Sequence, residues 1–432
     1  MVARACVRLS ELRAGGAGGV VVAAVFMAAY TNYRRDPRVR REAEALVEAG
    51  HEVTFLACRQ PGEPDHERIA GVELHKVAGA GHDRTSALGY LFGYGRYFLA
   101  LAAHLARAPR RYDLIHVNNM PDFLVFAAWL PRLLGVPVIH DVHDLMPELY
   151  QEKFGVPASH WVVRAVRQQE RWAGRFASAV LTVEARLRET LATRGMPADK
   201  IHVLMNLPDD RIFARRPPPP PRAPGAPFVL VYHGTLARRL GLDVAIEAVA
   251  RLRPRIPEIE LRIFGAGEER ATRIALAAEL GLGAHVTFSE GFVPVERVPA
   301  LIAAADLGVI PLRRCAGTDE KLPTKLLEYV AVGIPCVVPR TPTVARYFDA
   351  GMVEFFAAED VDSLAAAILR LHASPARRAA LAECATERFG RRHAWSEHRK
   401  SYVQLVEALL APRGRTSLQP TSEVEPSRRT GS

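Results

Sequence analysis

Two glutamates, Glu320 and Glu328, flank Pro323-Thr324-Lys325 in the stretch EKLPTKLLEYVAVGIPCVVP, which spans 320–339. The tripeptide opens a helix. Proline suits a first helical turn, Thr324 is placed to cap it, and Lys325 adds charge to N–H groups that already favour an anion. Pro323, Thr324, Lys325 and Leu326 therefore form a candidate phosphate-binding turn. Carboxylates beside a bound phosphate suit a ligand that also carries hydroxyls. A second constellation lies in IHDVHDLMPE, where His143 and Asp144 sit just past the end of an apolar strand, the place where open α/β sheets bind ligands. His140, inside that strand, reads as structural. Gly234 ends the apolar run FVLVYHG, and a backbone without Cβ lets a phosphate come close. Arg238 and Arg239 follow it at a helix start, a placement that opposes the helix dipole and so favours a functional use. Gly265 and Gly267 in FGAGEER follow another apolar strand but stop short of a full Gly-x-Gly-x-x-Gly. Arg38, after Pro37, is a further cation for phosphate or acceptor, and RVRREAE reads equally as an exposed helix start.

The elements that must position these residues alternate short apolar runs with helix-periodic stretches, the pattern of parallel sheets covered by helices. In the first half, Val20 to Phe26 predicts a buried strand. A helix follows with Val39, Ala43, Leu46 and Val47 on one face, stopped by Gly50. Further strands are expected at 52–57, 114–117, 137–142 and 179–183. The run RRPPPPPRAPGAP cannot continue a helix or a central strand and reads as a stiff spacer. The alternation then restarts, with helices at 243–252 and 270–280. The expected organisation is a disordered extension over 1–18, a Rossmann-like domain over 19–213, a Pro-rich linker over 214–227, a second Rossmann-like domain over 228–390, a helix over 391–411 and a disordered tail over 412–432.

Composition narrows the classes. A chain of 432 residues is too long for one ordinary core, and 49% hydrophobic content is that of a globular protein. Five cysteines without a Cys-x-x-Cys signal neither a disulfide framework nor a zinc site, so a reducing cytosol is expected. Arg4, Arg8 and Arg13 before an apolar run resemble a signal peptide, but the strand reading of that run is preferred. A net charge of +10 favours anionic partners without choosing among them. A nicotinamide dehydrogenase is a poor fit, because the first strand is not followed by Gly-x-Gly-x-x-Gly. Nucleic acid is not an expected partner, because binding it would not explain the glycine and glutamate pattern.

HGTLARRLGLDVAIEAVARL, LRIFGAGEER, VTFSEGFVPVERVPALIAAADLGVIPL and KLLEYVAVGIPCVV, in that order, resemble the donor domain of family 4 glycosyltransferases. DPRVRREAEALVEAGHEVTFLA and VIHDVHDLMPELY resemble that family's acceptor domain, and the likeness covers roughly residues 20 to 411. It implies an α/β, GT-B fold, with two Rossmann-like domains facing each other across a cleft and a last helix that crosses back to the first domain. It further implies a nucleotide diphosphate sugar, UDP- or GDP-linked, as co-substrate, with no other cofactor. By the resemblance Glu328 binds the ribose hydroxyls, Glu320 or the adjacent Asp319 lies near the transferred sugar, and His143 meets that sugar, with Asp144 beside it. Gly265 and Gly267 lie near the base. Many relatives carry an Arg after the glycine equivalent to Gly234 and a Lys five positions on, where this chain has Thr235 and Leu240, so Arg238 or Arg239 is expected to replace them. No Asp-x-Asp at a strand end offers a metal site, and metal-independent transfer with retention of configuration is expected. No carboxylate nucleophile is obvious in the acceptor half, which points to front-face departure of the nucleoside diphosphate.

Residues 84–111 carry Arg84, Arg96, Arg107, Arg110 and Arg111 with Tyr90, Phe92, Tyr94, Tyr97 and Phe98 and no acid, a pattern that fits either an anionic membrane surface or a core helix with a basic end. A lipid-linked or sugar acceptor at the inner face of the cytoplasmic membrane is the corresponding expectation. Two other readings fit the same residues: a non-catalytic nucleotide-sugar-binding or scaffold subunit, and another GT-B enzyme such as a 2-epimerase. The loop AAYTNYRRDPR, which lacks a Gly-Gly pair, and the changes at Thr235 and Leu240 keep the scaffold open.

Overall fold

The computed structural model describes residues 22–78, 87–217, 223 and 225–411. The arginines at 4, 8 and 13, Cys6, Arg84, most of the proline run and the tail from 412 lie outside them, as does the side chain of Tyr90. Two compact units are present, one formed by the chain up to Met205 together with residues from His398, the other by Asn206–Glu397.

The first unit is built on eight strands: β1 Ala24–Ala28, β2 Glu52–Arg59, β3 His66–Ile69, β4 Val72–Ala78, β5 Leu114–Asn118, β6 Val138–Val142, β7 Ala179–Thr182 and β8 Ile201–Val203. They lie in the order β3-β4-β2-β1-β5-β6-β7-β8, parallel throughout except for the β3/β4 hairpin. Apolar runs without alternation are what a parallel sheet buried on both faces demands. β1, β5, β6 and β7 are buried almost throughout. Among the described residues the first strand starts where Ala24 pairs with Glu52; Val20 and Val21 of the expected strand lie outside them. One face of the sheet is covered by helix Ala87–Arg107, the 3₁₀ segment Asp122–Ala128 and helix Trp161–Phe176, which share a core containing Phe26, Tyr97, Leu101, Leu124 and Ala173. Tyr97 anchors the first of these by donating its hydroxyl to the carbonyls of Ala29 and Leu56.

Helix Pro37–Glu48 buries Val39, Ala43 and Leu46 as its periodicity predicts, and also Arg41 and Glu42, which the apolar pattern did not announce. The carboxylate of Asp36 caps it by accepting the N–H of Arg38. The last helix, Trp395–Leu410, buries Trp395, Tyr402, Leu405 and Val406.

The second unit carries β9 Phe228–His233, β10 Ile259–Phe264, β11 Val286–Phe288, β12 Leu307–Val309, β13 Cys336–Pro339 and β14 Glu354–Phe356. Their order, β11-β10-β9-β12-β13-β14, is the 3-2-1-4-5-6 arrangement of a doubly wound sheet, all parallel. Helices Leu242–Leu252 and Val361–Ala373 pack on it through Ile246, Val249, Leu364 and Ile368.

One buried ionic group in the first unit holds Glu148 and Glu170 against Arg194, with Arg167 3.8 Å from Glu148. Arg194 is shared by Glu148 and by Glu170, whose Oε2 lies 3.2 Å from its guanidinium. Burial raises Glu170 to about 8 despite the arginine. The folded state thus holds a proton that the unfolded chain releases in the ordinary carboxyl range. Stability from this group is complete below that range and is lost as pH rises through about 8. The melting temperature is expected to fall between pH 6 and 9, and Glu170→Gln to flatten that decline; equal slopes in both proteins would refute the assignment.

Candidate functional site

In a sheet of order 3-2-1-4-5-6 the ligand crevice opens at the carboxyl ends of the two central strands, here β9 and β12. β9 ends at His233, and Gly234 follows with φ +103°, a conformation that disfavours a side chain. A Cβ on Gly234 would stand 3.2 Å from Cε and Nζ of Lys325, so the ammonium lies directly against this strand end. Nζ also sits 4.9 Å from the Tyr232 ring centroid. Burial lowers Lys325 to about 8, against the opposing effect of Glu328 and with Arg239 adding to the fall. Arg239 is thus electrostatically coupled to the lysine, whereas Arg238 is exposed. Glu328, one turn after Lys325, brings Oε2 to 3.2 Å from Nε2 of His233. Burial, with Lys325 second, drives His233 down to about 3, so the ring is neutral beside the carboxylate. Strand end, cation and carboxylate therefore converge.

The helix that carries Lys325 and Glu328 runs Thr324–Val332, and its start differs from expectation. Pro323 is the N-cap, Thr324 is the first helical residue, and no side chain caps the turn. The N–H of Leu326 donates to the Pro323 carbonyl, and the Leu326 side chain is fully buried, so it anchors the helix rather than offering a donor. Glu320 follows the short helix Ala316–Asp319. Its neighbour Asp319 is committed to structure: Arg314 holds the carboxylate and Thr343 Oγ1 donates to the carbonyl.

Gly265 and Gly267 have a reason that involves no ligand. A Cβ on Gly265 would lie 1.9 Å from the Gly234 carbonyl oxygen, and one on Gly267 2.2 Å from that of Leu236. The loops after β9 and β10 therefore pack backbone against backbone. Thr235 is exposed, and its carbonyl accepts the Tyr232 hydroxyl at 2.6 Å.

In the first unit, His143 and Asp144 lie immediately after β6. Asn119 holds this loop, accepting the N–H of His143 at 3.1 Å and donating to the Asp144 carbonyl at 2.7 Å. His143 Nε2 stands 2.9 Å from Asp141 Oδ2 and 3.1 Å from Asn118 Oδ1. His116 Nε2 approaches the same Asp141 oxygen at 3.4 Å. Arg38, expected on the phosphate or acceptor side, is engaged in a fork with Asp36, both contacts at 2.9 Å, so its charge has a partner at its own helix start. Burial opposes ionisation of Asp36, but Arg38 overrides it and holds the carboxyl at about 2. Glu42, Asp141 and His143 bring possible ligand atoms within 4.8 Å of one another, a spacing that a search for Asp-x-Asp does not detect.

Tyr232, His233, Asp36, Glu42, His116, Asp141 and Tyr402 join these two constellations without having been singled out from sequence. Two left a signal. His233 directly precedes the assigned glycine, and Asp141 lies two residues before His143, which the period of a strand places on the same face.

Two units built on parallel sheets, each with its candidate residues at strand ends, are the architecture of the GT-B fold. A sequence model described as a glycosyl transferase 4-like domain matches residues 36–206, and one described as glycosyl transferases group 1 matches 217–388. The chain belongs to family 4 of the glycosyltransferases. It is 36% identical over 156 residues to the GDP-mannose-dependent alpha-(1-6)-phosphatidylinositol monomannoside mannosyltransferase of Mycolicibacterium smegmatis, a match spanning 35% of this chain and 41% of that protein. It is 28% identical to the 2-deoxystreptamine glucosyltransferase of Streptomyces kanamyceticus, over 69% of this chain and 79% of that one. Sucrose-phosphate synthase from Thermosynechococcus elongatus shares the fold, with a TM-score of 0.70 and 20% identity over 90% of this chain and 99% of that one.

The position of Lys325 predicts a pH dependence. A lysine that loses its proton near pH 8 attracts an anion below that value and ceases to do so above it. Affinity for a nucleoside diphosphate, measured by calorimetry, is expected to fall as pH is raised through about 8. Lys325→Met should bind more weakly and lose that dependence; an unchanged profile in the variant would exclude Lys325 from the anion site.

Proposed function

We propose that the protein is a retaining glycosyltransferase that moves a sugar from a nucleotide diphosphate sugar to an acceptor hydroxyl of a polysaccharide, lipopolysaccharide or glycolipid. The observation that carries this reading is the convergence of Gly234, Lys325 and Glu328 at the end of β9. Gly234 admits the diphosphate, Lys325 and Arg239 neutralise it, and the start of helix Thr324–Val332 adds its dipole. Arg239 thus takes the place that Thr235 and Leu240 leave without charge. Glu328 accepts the ribose hydroxyls, a task suited to a carboxylate next to a neutral His233. Glu320 lies toward the transferred sugar, with His143 and Asp144 serving sugar or acceptor. The nucleoside diphosphate departs from the face that the acceptor enters, and its phosphate takes the acceptor proton, so configuration is retained without an enzyme nucleophile. The charge on the leaving group is met by side chains rather than by a metal. The GDP-mannose dependence of the mycobacterial relative supports a GDP-sugar, with a UDP-sugar as the alternative.

Thermal stabilisation of the purified protein by UDP, GDP, ADP and their sugars, in buffer containing EDTA, tests this. One nucleotide class should stabilise, its sugar should be hydrolysed slowly, and Glu328→Ala should weaken binding by roughly tenfold to a hundredfold, the cost of charge-assisted hydrogen bonds. Binding without hydrolysis or transfer would favour a non-catalytic nucleotide-sugar-binding subunit, and no stabilisation by any nucleotide would overturn the transferase reading in favour of a non-catalytic scaffold.

The acceptor side of the proposal is peripheral contact with an anionic membrane. Among the described residues no helix is long and apolar enough to cross one. Tyr97 is buried and Phe98 packs into the core, so neither serves such a surface. The outward face of the same helix instead shows Leu91, Phe92 and Leu99, with Phe92 74% exposed. Trp129 and Leu133 of helix Trp129–Leu133, and Trp161 and Trp172 of helix Trp161–Phe176, are exposed as well. Arg96, Arg107, Arg164 and Arg175 are exposed among them, the composition of an interfacial surface. The protein is expected to float with vesicles rich in phosphatidylglycerol, and Phe92→Ser with Trp161→Ser to reduce the bound fraction. Recovery of the parent protein wholly in the pellet fraction would remove membrane contact from the proposal.

A further inference from the structure

Beneath His143 lies a group of buried polar side chains whose protons can be arranged consistently in one way. Tyr402, on the last helix, has its hydroxyl 2.8 Å from Nδ1 of His116. The Tyr402 hydroxyl keeps its proton, its ionisation being disfavoured by burial first and by Glu42 and Asp141 next. His116 Nε2 faces the Asp141 carboxylate and so carries the ring proton, which leaves the Nδ1 lone pair to accept from the Tyr402 hydroxyl. Nε2 donates to Asp141 Oδ2 at 3.4 Å. Glu42, 1% exposed, is in hydrogen-bonding contact with Asp141, and burial together with that neighbour raises it well above the carboxylate range. Two touching carboxyls hold one proton between them, and here it sits on Glu42. Asp141 is held below the usual range, against burial, by His143 and His116. It is thus the anion of the group and accepts from all three neighbours.

The same oxygen is 2.9 Å from His143 Nε2, and Asn118 Oδ1 stands 3.1 Å from that nitrogen. A lone pair on Nε2 would face two oxygen acceptors, so the proton belongs there. Nδ1 is buried and is the ring nitrogen without a hydrogen-bond partner among the described residues. The other charged groups around the cluster are the Asp36–Arg38 fork and Arg41, all on or capping helix Pro37–Glu48.

We propose that Asp141 is a positioning residue that holds His143 in its Nε2–H form, and that Glu42, His116 and Tyr402 keep Asp141 in place for that purpose. Any hydrogen bond from a sugar hydroxyl to neutral His143 is then received by Nδ1. The purpose rests on the proposed role of His143 in transfer, whereas the arrangement of protons does not.

The test is long-range proton–nitrogen correlation on protein labelled with 15N-histidine above neutral pH, with the His143 signals assigned by their loss in His143→Gln. A single tautomer protonated on Nε2 is expected in the parent. Asp141→Asn should give a mixture of tautomers and lower kcat by about tenfold or more, in the range found for outer-shell partners, with the donor KM little changed. Glu42→Gln, which can still donate to Asp141, should preserve the parent spectrum. A parent His143 protonated on Nδ1 would overturn the proposal whether or not Asp141→Asn or Glu42→Gln folds. Stabilisation by Zn²⁺ or Mn²⁺ that Glu42→Gln abolishes would overturn it too, by making the cluster a cation site. The expected tautomer in the parent supports the proposal even if His143→Gln proves fully active, an outcome that would instead overturn the role of His143 in transfer.

Discussion

A parallel sheet buried on both faces offers an incoming ligand open polar groups chiefly at the ends of its strands. Inside the layers every N–H and C=O is occupied by a neighbouring strand, and a stray charge costs several kcal/mol in order of magnitude. At the carboxyl ends the ladder stops, backbone groups open, and helix starts converge. In this protein the assigned residues follow that constraint: Gly234 ends β9, His143 follows β6, and Lys325 stands against the strand end from the helix before β13.

The two strand-end constellations treat charge in opposite ways. Around Gly234 the basic groups outnumber the acids, and burial lowers Lys325 and His233 toward neutrality. Such a site is underneutralised, which suits an anion that arrives from outside. Around His143 the charges are balanced internally: one proton between Glu42 and Asp141, two imidazoles on one carboxylate, and an arginine forked to its cap. That region is organised before any ligand comes. Pre-organised groups of this kind cost no rearrangement when charge develops.

Much of this was legible in the residues. Apolar runs without alternation announced parallel strands, and their order along the chain announced helices between them. Pro323-Thr324-Lys325 announced a helix start, and the spacing of Lys325 and Glu328 put both on one helix face. The polar network under Asp141 was not legible, because its members come from β5, β6, the first helix and the last. No local pattern links Glu42 to Tyr402, since their interaction depends on a fold that brings together positions 360 apart in the chain. The glycines at 265 and 267 stood out in the sequence, but their packing against backbone oxygens of the adjacent loop could be seen only in the fold.

What the sequence determined by itself is whatever short-range chemistry dictates: strand and helix type through the period of apolar residues, turns through glycine and proline, and the family through motifs in a set order. What tertiary structure alone decided is which charges meet. Lys325 came to rest on Gly234, and Asp141 became the shared acceptor of His116 and His143. Electrostatic partners are selected by distance and burial, and both depend on packing between segments far apart in the chain.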